Sequence, residues 1–557
     1  MINKMLNSKI ILIAIILLGT VLRFFELGQN PPSLTWDEAA WGYNAYSLGI
    51  DGRDEFGRFL PLDYLESFGD FKPPVYAYLD ILPIKLFGLN EFAVRFPSAF
   101  LGALTVLITY FLTKRIFWTS KSREQYGLLS ALFLAISPWH IMLSRGAFEA
   151  NVATFFLVAG VFFFLKGVQD KNRYIIFSII SFVISVYTFN TARIVAPLLV
   201  LLLGFAFRRQ LLENRKQAFI AILVGILLLL PTLKFLLTPA ASLRFKEVNI
   251  FSDIDVVERV NQEIENDKNA KWPTFLHNRR FAYAVEYLKH YFDNLSPSFL
   301  FFKGDGNPKF STQDVGQMYL WELPFFVAGL LFLFRQRIGY WWIIPLWLLI
   351  GIIPAATARE TPHALRIETT LPTFQILTAI GIAVFISNIK YKIANIPFDS
   401  AQGKHIKYLI FTLTFLFLIF NFLYYIHGYY AHYPREYSGE WQYGYKESIE
   451  YVKTVQDEYD EILITSAMGR PYIYYAFFTK TEPESFRKSV IIKRDQFGFV
   501  TVSGFLKYRF ADSLGSIKGR TRKLLYIDTP GRVHPKGDVV KKFHLLNGEL
   551  ALVAYRL

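Results

Sequence analysis

Apolar runs recur along the chain at residues 10–25, 97–113, 127–143, 152–165, 174–189, 194–207, 218–237, 320–334, 341–356, 371–386 and 408–426. Read as helices, these runs predict about eleven membrane spans, several of them shorter than the roughly 20 residues a lone helix needs to cross the hydrocarbon. The short ones are expected to extend into polar flanks or to sit in a tight bundle. No small-residue cleavage site follows the first run, Ile10 to Phe25, and further runs continue the pattern, so it reads as an uncleaved span rather than a signal peptide.

The polar intervals give these spans a direction. With the N-terminus (Lys4, Lys9) in the cytoplasm, one set of connections holds Lys114, Arg115, Lys121 and Arg123, then Lys166, Lys171 and Arg173, then Arg208, Arg209, Arg215 and Lys216. The same set continues with Arg335 and Arg337 and with Lys390, Lys392, Lys404 and Lys407. The opposite short loops hold only Arg145, Arg193, Arg359 and Arg366. By the positive-inside rule, segments 28–96, 238–319 and 428 onward are then extracytoplasmic. This predicts a plasma-membrane protein with a multi-pass module over 1–427 and a soluble domain over 428–557.

Within the tail, a helix is expected at Tyr445 to Gln456 and another around Tyr472 to Phe478, with strands at "EILITS" (Glu461 to Ser466) and "KLLYID" (Lys523 to Asp528), which makes a small α/β domain. In the outer segment 238–319, "FAYAVEYLKHYF" (Phe281 to Phe292) is amphipathic and is expected to lie on the membrane surface.

Composition fits this class: 53% of the 557 residues are hydrophobic, 17% aromatic and 19% charged. The formal charge of +15 raises the question of nucleic acid, but the basic residues gather in short clusters between apolar runs, as membrane topology requires, and no nucleic-acid partner is expected. Without a single Cys, disulfides, thiolate catalysis and Cys-ligated metals are excluded. No H-E-x-x-H, P-loop lysine or G-x-S-x-G motif is present.

Chemistry-bearing residues collect in the first outer segment. Thr35-Trp36-Asp37-Glu38 has capping-box spacing and predicts a helix from Trp36 to about Leu48, so Asp37 and Glu38 equally fit a role at the positive end of that helix. Their company favours more: Asp51, Asp54, Glu55, Arg58, Asp63, Glu66, Asp70 and Lys72 share the segment beside an apolar core, where ionisable groups are functional candidates. Lys72 precedes Pro73 and Pro74, which start a helix over Val75 to Phe87; that helix carries Asp80, Pro83 and Lys85 and suits an interface better than a span. A snorkelling lysine is the plainer reading of Lys72.

Further along, Arg145 and Glu149 in "SRGAFEAN" stand four apart, as on one helical face, and equally suit an ion pair. Arg193 is the cation of a very short outer turn. In "TPHALRI", His363 and Arg366 follow a proline three apart and fit either an anionic ligand or surface capping. Asp253-Ile254-Asp255 has a D-x-D form, but such pairs are common in polar loops, and no metal or other cofactor is expected.

The phrases "WDE", "G-D-x-K-P-P-x-x-x-Y-L", "FG-x-x-E-F-A-x-R-x-P-S-A" and "SPWHIMLSRGAFEAN", in that order, resemble the GT-C-type glycosyltransferases. Within that class the likeness is to the protein O-mannosyltransferases and lipid A aminoarabinose transferases (families 39 and 83). It covers the chain best up to about residue 200, and again over "GIIPAATARETPHALRIETTLP" (Gly351 to Pro372). The resemblance implies a mainly α, polytopic helix bundle with interfacial helices in the first outer loop, and a polyprenyl-phosphate sugar as donor. It also implies Asp37 as catalytic base and Lys72 as a donor-phosphate contact. Gly69-Asp70-Phe71 precedes the lysine where the aminoarabinose enzymes have an adjacent Glu, which leaves the acceptor (glycan, lipid or protein) open.

Elementary chemistry agrees with these roles. A lipid phosphate is an anionic leaving group that needs cations rather than a general acid, so one carboxylate suffices as base. A glycosidase would need two carboxyls flanking the bond. The substrate-binding set expected around Asp37 is Glu38, Tyr43, Arg58, Lys72, Arg145, Glu149, Arg193, His363 and Arg366, with membrane lipids as surroundings. The alternative is a transporter or flippase of a lipid-linked sugar; it would place ionisable residues at mid-membrane, whereas here they collect at the outer ends of the runs, and no internal repeat is evident.

Overall fold

Each of the eleven apolar runs lies on helix in the computed structural model, which describes residues 2–238, 241, 249–268, 275–394, 401–494, 500–511, 523–532 and 537–557. Parts of the segment 238–319 and of the tail lie outside the described residues, as do the side chains of Lys4, Lys390, Lys392, Lys404 and Lys407. By length and composition, four described helices suffice to cross a membrane: Asn7–Phe24, Glu91–Ile116, Glu149–Gln169 and Arg215–Leu236. The run 127–143, read as one span, is covered by two helices, Arg123–Ile136 and Pro138–Arg145, bent by 56°, which together are long and apolar enough for one broken span. Pro138 lacks the N–H that would continue the first helix and fixes the start of the second.

Two compact units emerge, and their boundary differs from a cut at 427/428. One comprises Met1–Arg23, Leu101–Leu143 and Ala150–His427; the other Phe24–Phe100, Ser144–Glu149 and Gly428–Leu557.

The first unit is helical. Its core is built from Leu112, Leu157, Val161, Phe164, Leu199, Trp347 and Ile376 with their neighbours, while Ile13, Leu17, Val21, Leu201, Phe205 and Phe219 point outward from the apolar helices. Helices Glu322–Gln336 and Thr373–Ala394 meet at Gly329 and Gly381, where a Cβ on either would run into the partner's backbone carbonyl. Such small-residue contacts let apolar helices pack by van der Waals fit. The amphipathic stretch forms the Arg279–Asp293 helix.

The second unit pairs the segment Phe24–Phe100 with the tail. The segment supplies the Trp36–Asp51 and Val75–Phe87 helices and a hairpin of β1 (Leu65–Ser67) and β2 (Asp70–Lys72). The tail carries a seven-stranded mixed sheet of β3 (Glu461–Ile464), β4 (Ile491–Arg494), β5 (Val500–Phe505), β6 (Tyr508–Phe510), β7 (Leu524–Asp528), β8 (Asp538–His544) and β9 (Leu550–Arg556), in the order β4-β5-β6-β3-β7-β9-β8. Central β3 runs parallel to β6 and β7, and Ile462, Leu463 and Ile464 are buried, as the continuous apolar run requires. The expected helices appear as Tyr445–Val455 and Pro471–Phe478.

Segment and tail interlock. Gly42 lies so close to Phe477 that a Cβ there would overlap the ring. The Tyr474 hydroxyl donates to the Leu34 carbonyl at 3.1 Å. Arg494 grips both oxygens of Glu66, at 2.6 and 3.2 Å, while Arg487 pairs with Asp51 and Lys446 with Glu91.

Candidate active site

The site grows from the start of the Trp36–Asp51 helix. The capping box is fully made: the Thr35 hydroxyl accepts from the Glu38 N–H at 3.2 Å, and Glu38 Oε2 accepts from the Thr35 N–H at 2.8 Å. The helix closes at Gly52, whose left-handed φ of 73° glycine adopts without a Cβ clash. Glu38 also takes the Arg95 Nε–H and the Ala147 N–H on Oε1, each at 2.9 Å.

Arg95 in turn donates to the carbonyls of Leu27 (3.1 Å), Pro31 (2.8 Å) and Ser33 and lies 5.7 Å from the Trp441 ring centroid. Both side chains are fully buried and every guanidinium N–H has an acceptor. This pair ties the segment entering the helix, the helix itself and the 144–149 connection together.

Asp37, one residue earlier, is turned about 100° around the helix from Glu38. Its side chain is half exposed and forms an ion pair with Lys72, whose own side chain is 8% exposed. The β1–β2 hairpin delivers that lysine. Leu65 faces Lys72 across the ladder, and the connecting residues Phe68 and Gly69 both have positive φ (63° and 77°), as a tight two-residue hairpin turn requires. The Lys72 ammonium stands 5.1 Å from the Trp41 ring centroid and 5.2 Å from that of Phe68, an aromatic wall that suits a cation. Glu149 and Asp70 add their fields to this corner: Glu149 interacts electrostatically with Lys72, Asp37 and Asp70.

A second buried acid lies behind the hairpin. Glu55 accepts from the Ser67 hydroxyl at 2.5 Å and from the tail's Tyr472 hydroxyl at 3.4 Å, while Asn44 accepts its backbone N–H at 3.0 Å. Burial, with the Asp54 charge adding to it, pushes the Glu55 carboxyl up to about 8. On the neighbouring helix, fully buried Asp80 is raised well above the carboxylate range by burial and by Glu38.

The other expected residues divide by place. Tyr43 is fully buried, donates to the Thr481 carbonyl at 3.1 Å and packs on Phe486; it pins segment to tail instead of facing a ligand. Arg58 is held by Asp63 at 2.7 Å and covers the Tyr64 ring at 3.8 Å. Arg145 and Glu149 do not share a helical face, because one helix ends at Arg145 and the next begins at Glu149. Arg145 is fully buried, donating to the Asn30 carbonyl (2.8 Å) and the Tyr429 hydroxyl (3.1 Å) between the rings of Tyr429 and Tyr430, which makes it a structural clamp.

Arg193, His363 and Arg366 belong to the first unit. Arg193 lies against Phe235, and Arg366 donates to the Glu360 carbonyl at 2.9 Å. His363 stacks by Phe310 and stands 3.9 Å from Asp305. Burial, then Arg366, holds its imidazole well below the usual range, so it is neutral at pH 7 and adds no charge for binding an anion. Asp253 is the N-cap of the Ile254–Asn266 helix, accepting from the Asp255 N–H at 3.1 Å.

Comparison with known proteins adds to this geometry. Residues 71–235 match the family model for dolichyl-phosphate-mannose-protein mannosyltransferases. An uncharacterized protein of Aquifex aeolicus (strain VF5) is 29% identical over 180 residues, covering 32% of this chain and 34% of the relative, so the chain spans about a third of that relative's length. The crystal structure of ArnT from Cupriavidus metallidurans in the apo state superposes with a TM-score of 0.54 at 12% identity, covering 98% of this chain and 97% of that one. The same protein bound to undecaprenyl phosphate gives 0.53 at 11% identity, over 100% and 98% of the two chains. The chain thus matches the mannosyltransferase family model over residues 71–235 and is similar in fold to ArnT over nearly its whole length.

Proposed function

We propose that this chain transfers a sugar from a polyprenyl-phosphate donor to an acceptor hydroxyl on the extracytoplasmic side of the membrane, with inversion at the anomeric carbon. The observation that carries the reading is the Asp37–Lys72 pair: a half-exposed carboxylate against a nearly buried ammonium. The family match, which begins at Phe71 just before Lys72, supports it, and so does a protein of the same fold crystallised with undecaprenyl phosphate.

In the step envisaged, the donor phosphate competes with Asp37 for the Lys72 ammonium and frees the carboxylate. Asp37 takes the proton of the acceptor hydroxyl as that oxygen forms its bond to the anomeric carbon. The bond from that carbon to the phosphate oxygen breaks, and its electron pair leaves on the phosphate, where Lys72 stabilises the charge. Glu38, saturated by Arg95 and the helix start, stays out of the reaction and fixes the direction of Asp37.

Purified protein incubated with a panel of radiolabelled polyprenyl-phosphate sugars and cell-envelope extract tests this. Transfer of label from one donor, with release of polyprenyl phosphate and inverted product, is expected. No transfer from any donor, together with movement of intact lipid-linked sugar across a liposome bilayer, would replace the enzyme by a transporter.

A further inference from the structure

The tail places one more cation beside the Asp37–Lys72 corner. Between β3 and the Pro471–Phe478 helix the chain turns through Gly469 and Arg470, both with positive φ (84° and 47°). Gly469 packs so tightly on Trp36 that a Cβ would approach the indole to 3.0 Å, and the Tyr445 hydroxyl holds its carbonyl at 3.3 Å. Trp36 is the chain neighbour of Asp37.

Arg470 holds a left-handed conformation immediately before a proline, which sterics disfavour for a side-chain-bearing residue on both counts; such strain persists where the surroundings enforce it and clusters at functional sites. Its guanidinium lies 4.2 Å from the Phe68 ring centroid and 6.0 Å from that of Trp36, with a marginal 3.5 Å contact to the Phe68 carbonyl. Phe68 is the same ring that flanks the Lys72 ammonium.

The contrast with the tail's other cations is direct. Lys446, Arg487 and Arg494 each reach the first segment and each meets a carboxylate: Glu91, Asp51 and Glu66. Arg470 is exposed and, among the described residues, has no carboxylate within ion-pair distance. Around Lys72 the neighbouring ionisable groups are carboxyls, with Asp37, Asp70 and Glu149 in one field. A phosphate entering there needs more positive charge than one ammonium supplies, while Arg95 and Arg145 are buried and engaged elsewhere.

We propose that Arg470 is an oxyanion-binding residue of this site and that its ligand is the phosphate of the lipid carrier, so the tail takes part in donor binding. This rests on reading the Asp37–Lys72 corner as a polyprenyl-phosphate site. A guanidinium stacked on aromatic faces keeps its edge N–H groups free in a plane that matches two phosphate oxygens.

The full chain in detergent, titrated with undecaprenyl phosphate and in parallel with undecaprenol, tests it through intrinsic tryptophan fluorescence, with Trp36 as the near reporter. Wild type should prefer the phosphate. Arg470→Gln should weaken phosphate binding about tenfold, the loss of one charge-assisted contact, with undecaprenol affinity and thermal midpoint unchanged; Arg470→Lys should recover part of the loss. Equal phosphate affinity in wild type and Arg470→Gln overturns the role of Arg470 and leaves the donor reading standing. A wild type that does not distinguish phosphate from alcohol overturns both. A lowered midpoint with equal losses for the two lipids would make Arg470 a docking residue only and overturn the proposal.

Discussion

Asp37 and Glu38 are neighbours in sequence, yet they stand in two different electrostatic regions. Glu38 and its partner Arg95 are wholly buried, each satisfied by several fixed hydrogen bonds. Asp37 pairs with Lys72, and its carboxylate side is half open. A buried, saturated pair is costly to break and has no lone pair to offer a substrate. An open pair adds little stability, and a competing ligand can separate it. One residue step along the helix, about 100°, thus separates a buried, saturated acid from a half-open one.

Removing Arg95 should have the largest effect. Arg95→Ala leaves the Glu38 carboxylate buried with its main partner gone, and loss of a buried partner costs about 3–5 kcal/mol; the thermal unfolding midpoint of the purified protein should drop steeply. A midpoint unchanged from wild type would erase the distinction between the two pairs. Lys72→Met should act on the other side of the comparison, leaving the midpoint close to wild type and lowering transfer about 10²-fold, as loss of one transition-state charge contact does. Steady-state rates and unfolding scans on the same preparation separate the two outcomes.

Glu55 sharpens the contrast through pH. Its folded-state pKa of about 8 lies above the ordinary carboxylate value of 4.5, so the folded protein holds a proton that the unfolded chain has lost between those limits. Its contribution to stability is therefore complete below about pH 4.5 and declines as pH rises toward 8, by at most roughly 1.4 kcal/mol per unit. Glu55→Gln should flatten that part of the stability curve in denaturant titrations from pH 5 to 8; an identical slope in both proteins would mean that the carboxyl is ionised when folded. The smallest effect belongs to Arg58→Ala. Its pair with Asp63 is about a third exposed, and such pairs contribute about 0–1 kcal/mol, so unfolding and transfer should both stay near wild type.

Much of this was legible in the chain. Thr35-x-x-Glu38 predicted the helix start because its hydrogen bonds are local, and "EILITS" and "KLLYID" predicted strands because continuous apolar residues mark a buried sheet. Long-range contacts were not legible. Arg95 stood in a recognised phrase without a role, since its acceptors at Leu27, Pro31 and Ser33 lie 62–68 positions away. The hairpin that carries Lys72 has strands of only three residues, too short for alternation to register. Arg145 and Glu149 have helical spacing in sequence, but the break between Arg145 and Glu149 removes the shared face. Tyr43 read as a site aromatic because nothing local shows that Thr481 of the tail receives its hydroxyl.

The most direct test of the division between the two acids is Asp37→Asn, assayed for label transfer and thermal unfolding in one preparation. The account predicts an unfolding midpoint equal to wild type and transfer reduced about 10²-fold or more, the usual contribution of a general base. Wild-type transfer from the folded variant would contradict it and return Asp37 to the role of a helix-end charge.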